Sequence, residues 1–283
     1  MTLRAEAEAL ASSLPRLRIG GALASDAAHL GSAGRRRAGT GEDFWQYRQH
    51  MPEDGSQRVD WRRSARGDTL FVRETELETA RTFLFWADPH AGFHWSGDQA
   101  RPSKGHYASV LLLALSSLLS KEGERVGIMG GRKAGFGSRS LQRMLEDLSA
   151  LTDTFPAAPR NLASAIIFSD FYDDDAVWQK RLIPLSSTCR QGVLVMVTDP
   201  VEETFPFRGR VMLSRPGTQD ERLLGRAELI EDAYLKKFAA KKDAVKALAA
   251  RLGWQSLFLS TGSPVLNGAT KLHRALEQIE ARI

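Results

Sequence analysis

Three apolar runs of strand length each stop at an aspartate, and this repetition limits the fold more than any other feature of the chain. Phe83-Leu84-Phe85-Trp86-Ala87 meets Asp88, Ala163-Ser164-Ala165-Ile166-Ile167-Phe168 meets Ser169 and Asp170, and Val193-Leu194-Val195-Met196-Val197 is soon followed by Asp199 and Pro200. Runs without polar alternation belong to strands covered on both faces, as in parallel sheets. Helical periods fill the intervals, over 103–120, 141–151 and from Asp174 towards residue 190. Two further strands are expected at 125–129 and 255–259, with a long helix at 228–252 stopped by Gly253 and a last helix at 264–279. Segments 210–214 and 221–225 flank Pro216 and Gly217 and predict a hairpin. Strands alternating with helices over two hundred residues give an α/β class, with a mostly parallel sheet flanked by helices.

In such a sheet Asp88, Asp170 and Asp199 share the carboxyl edge, where ligands bind at the point of reversal in strand order. Carboxylates converging there suit a hard divalent cation. The alternative is that each one caps a helix or closes a turn.

Several function classes are disfavoured by the rest of the sequence. The single cysteine, Cys189, allows no internal disulfide and no multi-cysteine zinc site, so a cytoplasmic location is expected. No segment reads as a membrane span or export signal; the apolar run at 110–119 is broken by Ser116 and Ser117. The balance of 39 basic and 34 acidic residues gives +5, with arginines concentrated early, but no nucleic-acid motif accompanies them and nucleic acid is not an expected partner. The loop at 130–137 is glycine-rich yet lacks the Gly-Lys-Ser/Thr ending of a phosphate cradle, so no ATPase activity of its own is expected. His90, His94 and His106 lie within reach of a transition-metal reading, although Pro89 and Gly92 make the segment a loop and strip the spacing of meaning. Asp173, Asp174 and Asp175 beside Phe171 and Tyr172 form an acidic, aromatic cluster able to orient a basic partner surface.

Before residue 80 the texture changes to glycine, arginine and polar residues. Here stand Gly41-Glu42-Asp43-Phe44-Trp45-Gln46-Tyr47-Arg48, Met51-Pro52-Glu53-Asp54, Arg58-Val59-Asp60-Trp61-Arg62-Arg63-Ser64-Ala65-Arg66 and Leu70-Phe71-Val72-Arg73-Glu74. These motifs resemble the signature of the family called domain of unknown function 58, and the resemblance extends over nearly the whole chain. It implies a von Willebrand factor A-like domain at 81–283, preceded by a family-specific extension at 1–80. Arg48, Asp60, Trp61, Arg62, Ser64, Arg66, Arg73 and Glu74 then form a signature with a structural role, the aromatic and guanidinium groups stacking and pairing with carboxylates.

The resemblance also implies a partner, a MoxR-type AAA+ ATPase, with the chain as a non-enzymatic adaptor in the remodelling or maturation of an unspecified client protein. The fold's metal-ion-dependent adhesion site opens with Asp-x-Ser-x-Ser, for which this chain has Asp88, His90 and Gly92. A second aspartate falls on Asp170. With both serine hydroxyls gone the site reads as degenerate, no cofactor is required, and Mg²⁺ is the ion it would have held. The expected partner contacts are Asp88, His90, Phe93, His94, Phe171, Tyr172, Asp173 and Asp174. The alternative is a metal-dependent hydrolase, or a transition-metal-binding protein, using Asp88, His90 and Asp170.

Overall fold

The computed structural model describes residues 2–17, 38–51, 59–65, 67, 69–76, 80–189, 191–214, 216–217 and 219–280. In chain order the elements are α1 Leu3–Ser13, β1 Ala38–Gln49, α2 Trp61–Ser64, β2 Phe71–Glu76, β3 Thr82–Ala87 and α3 Lys104–Lys121. There follow β4 Arg125–Ile128, α4 Gly137–Ser149, β5 Ser164–Ser169, α5 Asp175–Leu182, β6 Gln191–Thr198 and α6 Pro200–Thr204. The last are β7 Val211–Ser214, β8 Glu221–Leu224, α7 Glu231–Leu252, β9 Gln255–Ser260 and α8 Val265–Glu280. Two compact units result, one of residues 1–19 with 81–283 and one of residues 20–80.

The larger unit is α/β. Its sheet runs β4-β3-β5-β6-β9 with every neighbouring pair parallel. The path from β3 leads outward to β4, whereas β5 leads the other way to β6, so the order reverses between β3 and β5. Residues alternate across the strands. Phe83, Phe85, Val193, Val195 and Val197 face one layer with α1, α3, α4 and α8, while Trp86, Ile167, Leu194 and Met196 face α5 and α7. Residues 151–163 cross to that second layer, where Phe155 meets Trp86 edge to face at 4.9 Å. The 20–80 unit holds β1 and β2 as an antiparallel pair with the single turn α2.

The structure departs from the periodicity at several elements. The helix opening at Asp174 ends at Leu182 because Pro184 lacks the N–H that another turn needs, and a 3₁₀ turn, Pro184–Ser187, follows. The long helix begins three residues late, after a 3₁₀ turn at Ala227–Ile230. Among the described residues no helix is long and apolar enough to cross a membrane.

Candidate functional site at the reversal of strand order

Asp88 ends β3, Ser169 and Asp170 end β5, and Asp199 follows β6, so all of them stand at one carboxyl edge. Asp88 and Asp170 lie beside the reversal itself. Each carboxylate is buried and already partnered.

Asp88 Oδ2 accepts the Ser169 hydroxyl at 2.6 Å, and Oδ1 accepts the His90 amide at 3.3 Å. Burial pushes its pKa up, against the pull of Ser169 and His90. His90 Nε2 lies 3.2 Å from Asp170 Oδ1, while its Nδ1 accepts the Gly92 amide at 3.0 Å. That amide leaves the proton of the neutral ring on Nε2, facing Asp170. Burial opposes a charge on His90, but the bond to Asp170 and the two neighbouring carboxylates outweigh it and raise the pKa. A side chain at Gly92 would come within 2.8 Å of the His90 ring, so the two altered motif positions form one device, a ring folded onto a bare amide.

Lys104 opens α3 and is 1% exposed. Its Nζ donates to Asp170 Oδ2 at 2.9 Å and to Glu202 Oε1 at 2.6 Å, and lies 5.1 Å from the centre of the Tyr172 ring. Burial alone would discharge this ammonium; the two carboxylates reverse that and raise its pKa. Burial pushes the Asp170 pKa up, but the bond to His90 and the charge of Lys104 outweigh it and hold this carboxyl below the ordinary carboxylate range. Glu202 is pushed up, because burial outweighs the attraction of Lys104.

Asp199 is fully buried and caps α6 in a capping box, its Oδ1 accepting the Val201 amide at 2.9 Å while Glu202 returns to the Asp199 amide. It also accepts Arg101 Nη2, the Gly97 amide and the Thr261 hydroxyl, each at 3.2 Å. Gly97 is required for that approach, since a Cβ there would sit 2.7 Å from Asp199 Oδ1. Segment 88–104 is thus fastened to the ends of β5 and β6 by its own His90, Gly97, Arg101 and Lys104.

A divalent cation does not fit this arrangement. Lys104 Nζ stands where an ion would bridge Asp170 and Glu202, and the Ser169 hydroxyl, which would be a neutral ligand, is spent on Asp88. Among the described residues no three His, Cys, Asp or Glu side chains are placed to hold a metal together. His106 bonds Glu6 of α1 at 2.8 Å, whereas His94 is close enough to feel the charges of His90 and Asp88, and burial chiefly holds its pKa below the ordinary histidine value. Nor does the glycine-rich loop cradle phosphate: the Arg132 amide is taken by the Asp147 carboxylate at 3.0 Å.

Phe93 and Phe171, expected at a contact surface, are both fully buried. They support their loops from below, Phe171 at φ 56° with its ring 4.5 Å from that of Trp178. Tyr172, Asp173 and Asp174 are exposed, as is His94. Asp173 pairs with Arg181 at 2.7 Å, and its carbonyl accepts Lys241 Nζ at 2.8 Å. A pocket of about 280 Å³ lies between α5 and α7, lined by Phe171, Asp175, Trp178, Val245, Leu248 and Arg251.

In the smaller unit Asp60 caps α2 through the Arg63 amide at 3.0 Å and accepts the Tyr47 hydroxyl at 3.3 Å. The Ser64 hydroxyl donates to the Asp60 carbonyl and accepts the Phe71 amide, tying α2 to β2. Trp61 and Arg62 are exposed. Arg66 and the side chains of Arg48, Arg73 and Glu74 lie outside the described residues.

A family described as "Protein of unknown function DUF58" matches residues 46–244. The chain belongs to the DUF58 family. The match starts within β1 and ends within α7, so the DUF58 region takes in both the Asp60 turn and all three strand-end aspartates. No curated protein and no solved structure matches the chain.

Lys104, Glu202, Ser169, Arg101 and Thr261 were not singled out from this DUF58 sequence. Two of them left a signal. Glu202 stands three residues after Asp199, the spacing of a capping box, and Lys104 puts a cation in the first turn of the most apolar helix, where the helix dipole disfavours it.

Proposed function

We propose that this DUF58 protein is a non-enzymatic adaptor in the cytoplasm. Its larger unit is read as a von Willebrand factor A-like domain with a degenerate metal-ion-dependent adhesion site. That unit docks a MoxR-type AAA+ ATPase and serves the remodelling or maturation of a client protein.

The observation that carries this reading is the saturation of the carboxyl edge. Both nitrogens of His90 and all four carboxylate oxygens of Asp88 and Asp170 have internal partners, which leaves no poised nucleophile or general base there. The exposed groups beside it are those of a contact surface. Tyr172 shows its ring while its hydroxyl faces Glu202 and Tyr234, and Asp174 bears an exposed carboxylate at the start of α5. An aromatic flanked by acids gives a basic partner both contact area and orientation.

Co-purification with a MoxR-type AAA+ ATPase from the same organism tests the reading. Tyr172→Ala and Asp174→Lys are expected to weaken retention about tenfold or more, and Lys271→Glu on α8 to leave it unchanged. Full retention by both edge variants moves the interface elsewhere, and no retention of the unaltered protein removes the adaptor reading.

A further inference from the structure

We propose that the ammonium of Lys104 is the resident cation of this crevice, a covalently tethered substitute for a divalent ion, so that the site is always filled. The inference does not depend on which partner docks at the edge.

The placement of Lys104 is hard to account for otherwise. A lysine in the first turn of a helix lies at the positive end of the helix dipole, and one that is 1% exposed has lost its hydration. Neither cost is met by local sequence, since the residues around it in α3 are apolar or neutral. Both are met by three groups converging on Nζ from other elements: the carboxylate of Asp170 after β5, the carboxylate of Glu202 in α6, and the face of Tyr172. These are the partners a bound cation would have, arranged around an amine.

The neighbouring groups agree with that assignment. Asp88 has both oxygens satisfied by a serine hydroxyl and an amide, Asp170 takes His90 on its second oxygen, and Asp199 takes Arg101. Every donor except Ser169, the Tyr172 amide, the residues of α6 and Thr261 comes from segment 88–104. One stretch of chain therefore supplies the positive charge for the ends of β5 and β6, a task that a free ion would perform only at sufficient concentration. The junction of β3, β5 and β6 is held independently of divalent cations.

The test uses Mn²⁺, followed by its electron paramagnetic resonance signal and by thermal unfolding of the full chain. The unaltered protein is expected to bind no Mn²⁺ and to unfold at the same temperature with Mn²⁺ or with EDTA. Lys104→Met leaves Asp170 and Glu202 facing a gap; it is expected to bind one Mn²⁺ per chain and to regain with Mn²⁺ most of the melting temperature it loses. Adding Asp170→Asn is expected to abolish that binding. Lys104→Met with Glu202→Gln carries less buried charge, and it decides the matter if the single variant does not fold: weaker Mn²⁺ binding supports the proposal, and none overturns it. Stoichiometric Mn²⁺ on the unaltered protein, or a folded Lys104→Met chain that ignores Mn²⁺, also overturns it.

Discussion

Truncating one partner of a buried ion pair leaves the other charge without compensation, which costs about 3–5 kcal/mol. Lys104 has two such partners, so Lys104→Met is expected to lose at least that much in urea unfolding, with part returned when Asp170→Asn removes one of the stranded carboxylates. A loss within 1 kcal/mol of zero, about the value of an exposed pair, would mean that the ammonium is not buried. Glu124 makes a separate prediction at the same scale. It is 1% exposed at the start of β4, and burial lifts its pKa from an ordinary 4.5 to about 7 despite the Arg81 amide it accepts. Its contribution to stability is therefore whole below pH 4.5 and is lost as the pH rises through 7. Glu124→Gln should match the parent near pH 4 and exceed it above pH 7 by roughly 1–3 kcal/mol. An unchanging difference from pH 4 to 9 would show that Glu124 does not titrate in this range.

At the scale of elements, α6 and α1 carry the next predictions. Burial opposes the charge of Asp199, but the Val201 and Gly97 amides, Arg101 and Thr261 outweigh it and hold its pKa down. A depressed carboxylate stabilises the fold above its unfolded pKa of about 3.8 and ceases to do so as the pH falls through its folded value. Asp199→Asn should therefore lower stability at pH 7 and reduce the steepness of acid unfolding below pH 4; acid unfolding as steep as the parent's would contradict this. α1 presents Ala7 and Ala11, one turn apart, to α3 and α8, and the chain after it buries Leu14 and Leu17. Those two leucines together contribute about 3–6 kcal/mol, so deleting residues 1–17 should lower the melting temperature sharply, whereas Glu6→Gln alone should have little effect.

Much of the architecture was readable because buried parallel strands are written as unbroken apolar runs, and the turn residues after them mark their ends. Phe83–Phe85, Ile166–Phe168 and Val193–Val197 needed no tertiary information. α1 was missed as a packed helix because its alanines give a weak apolar stripe, and α6 because five residues carry no period. Convergence of Asp88 and Asp170 was legible from strand polarity alone. What surrounds Asp170 was not: Lys104, its cation, lies 66 residues earlier, and Glu202, the second carboxylate on that cation, lies 98 residues after Lys104, and only the fold brings them together. Exposure was also illegible, so Phe93 and Phe171, aromatic residues in loops, read as contacts although they are core.

At the scale of the whole molecule, the larger unit is an α/β sheet whose carboxyl edge is closed by its own Lys104, His90 and Arg101. The most direct measurement is a crystal structure of the unaltered protein grown with Mn²⁺, examined for anomalous scattering at the edge between β3 and β5. The prediction is Lys104 Nζ within hydrogen-bonding distance of Asp170 and Glu202, with no anomalous peak there. A manganese ion ligated by Asp88 or Asp170, with Lys104 turned away, would contradict it.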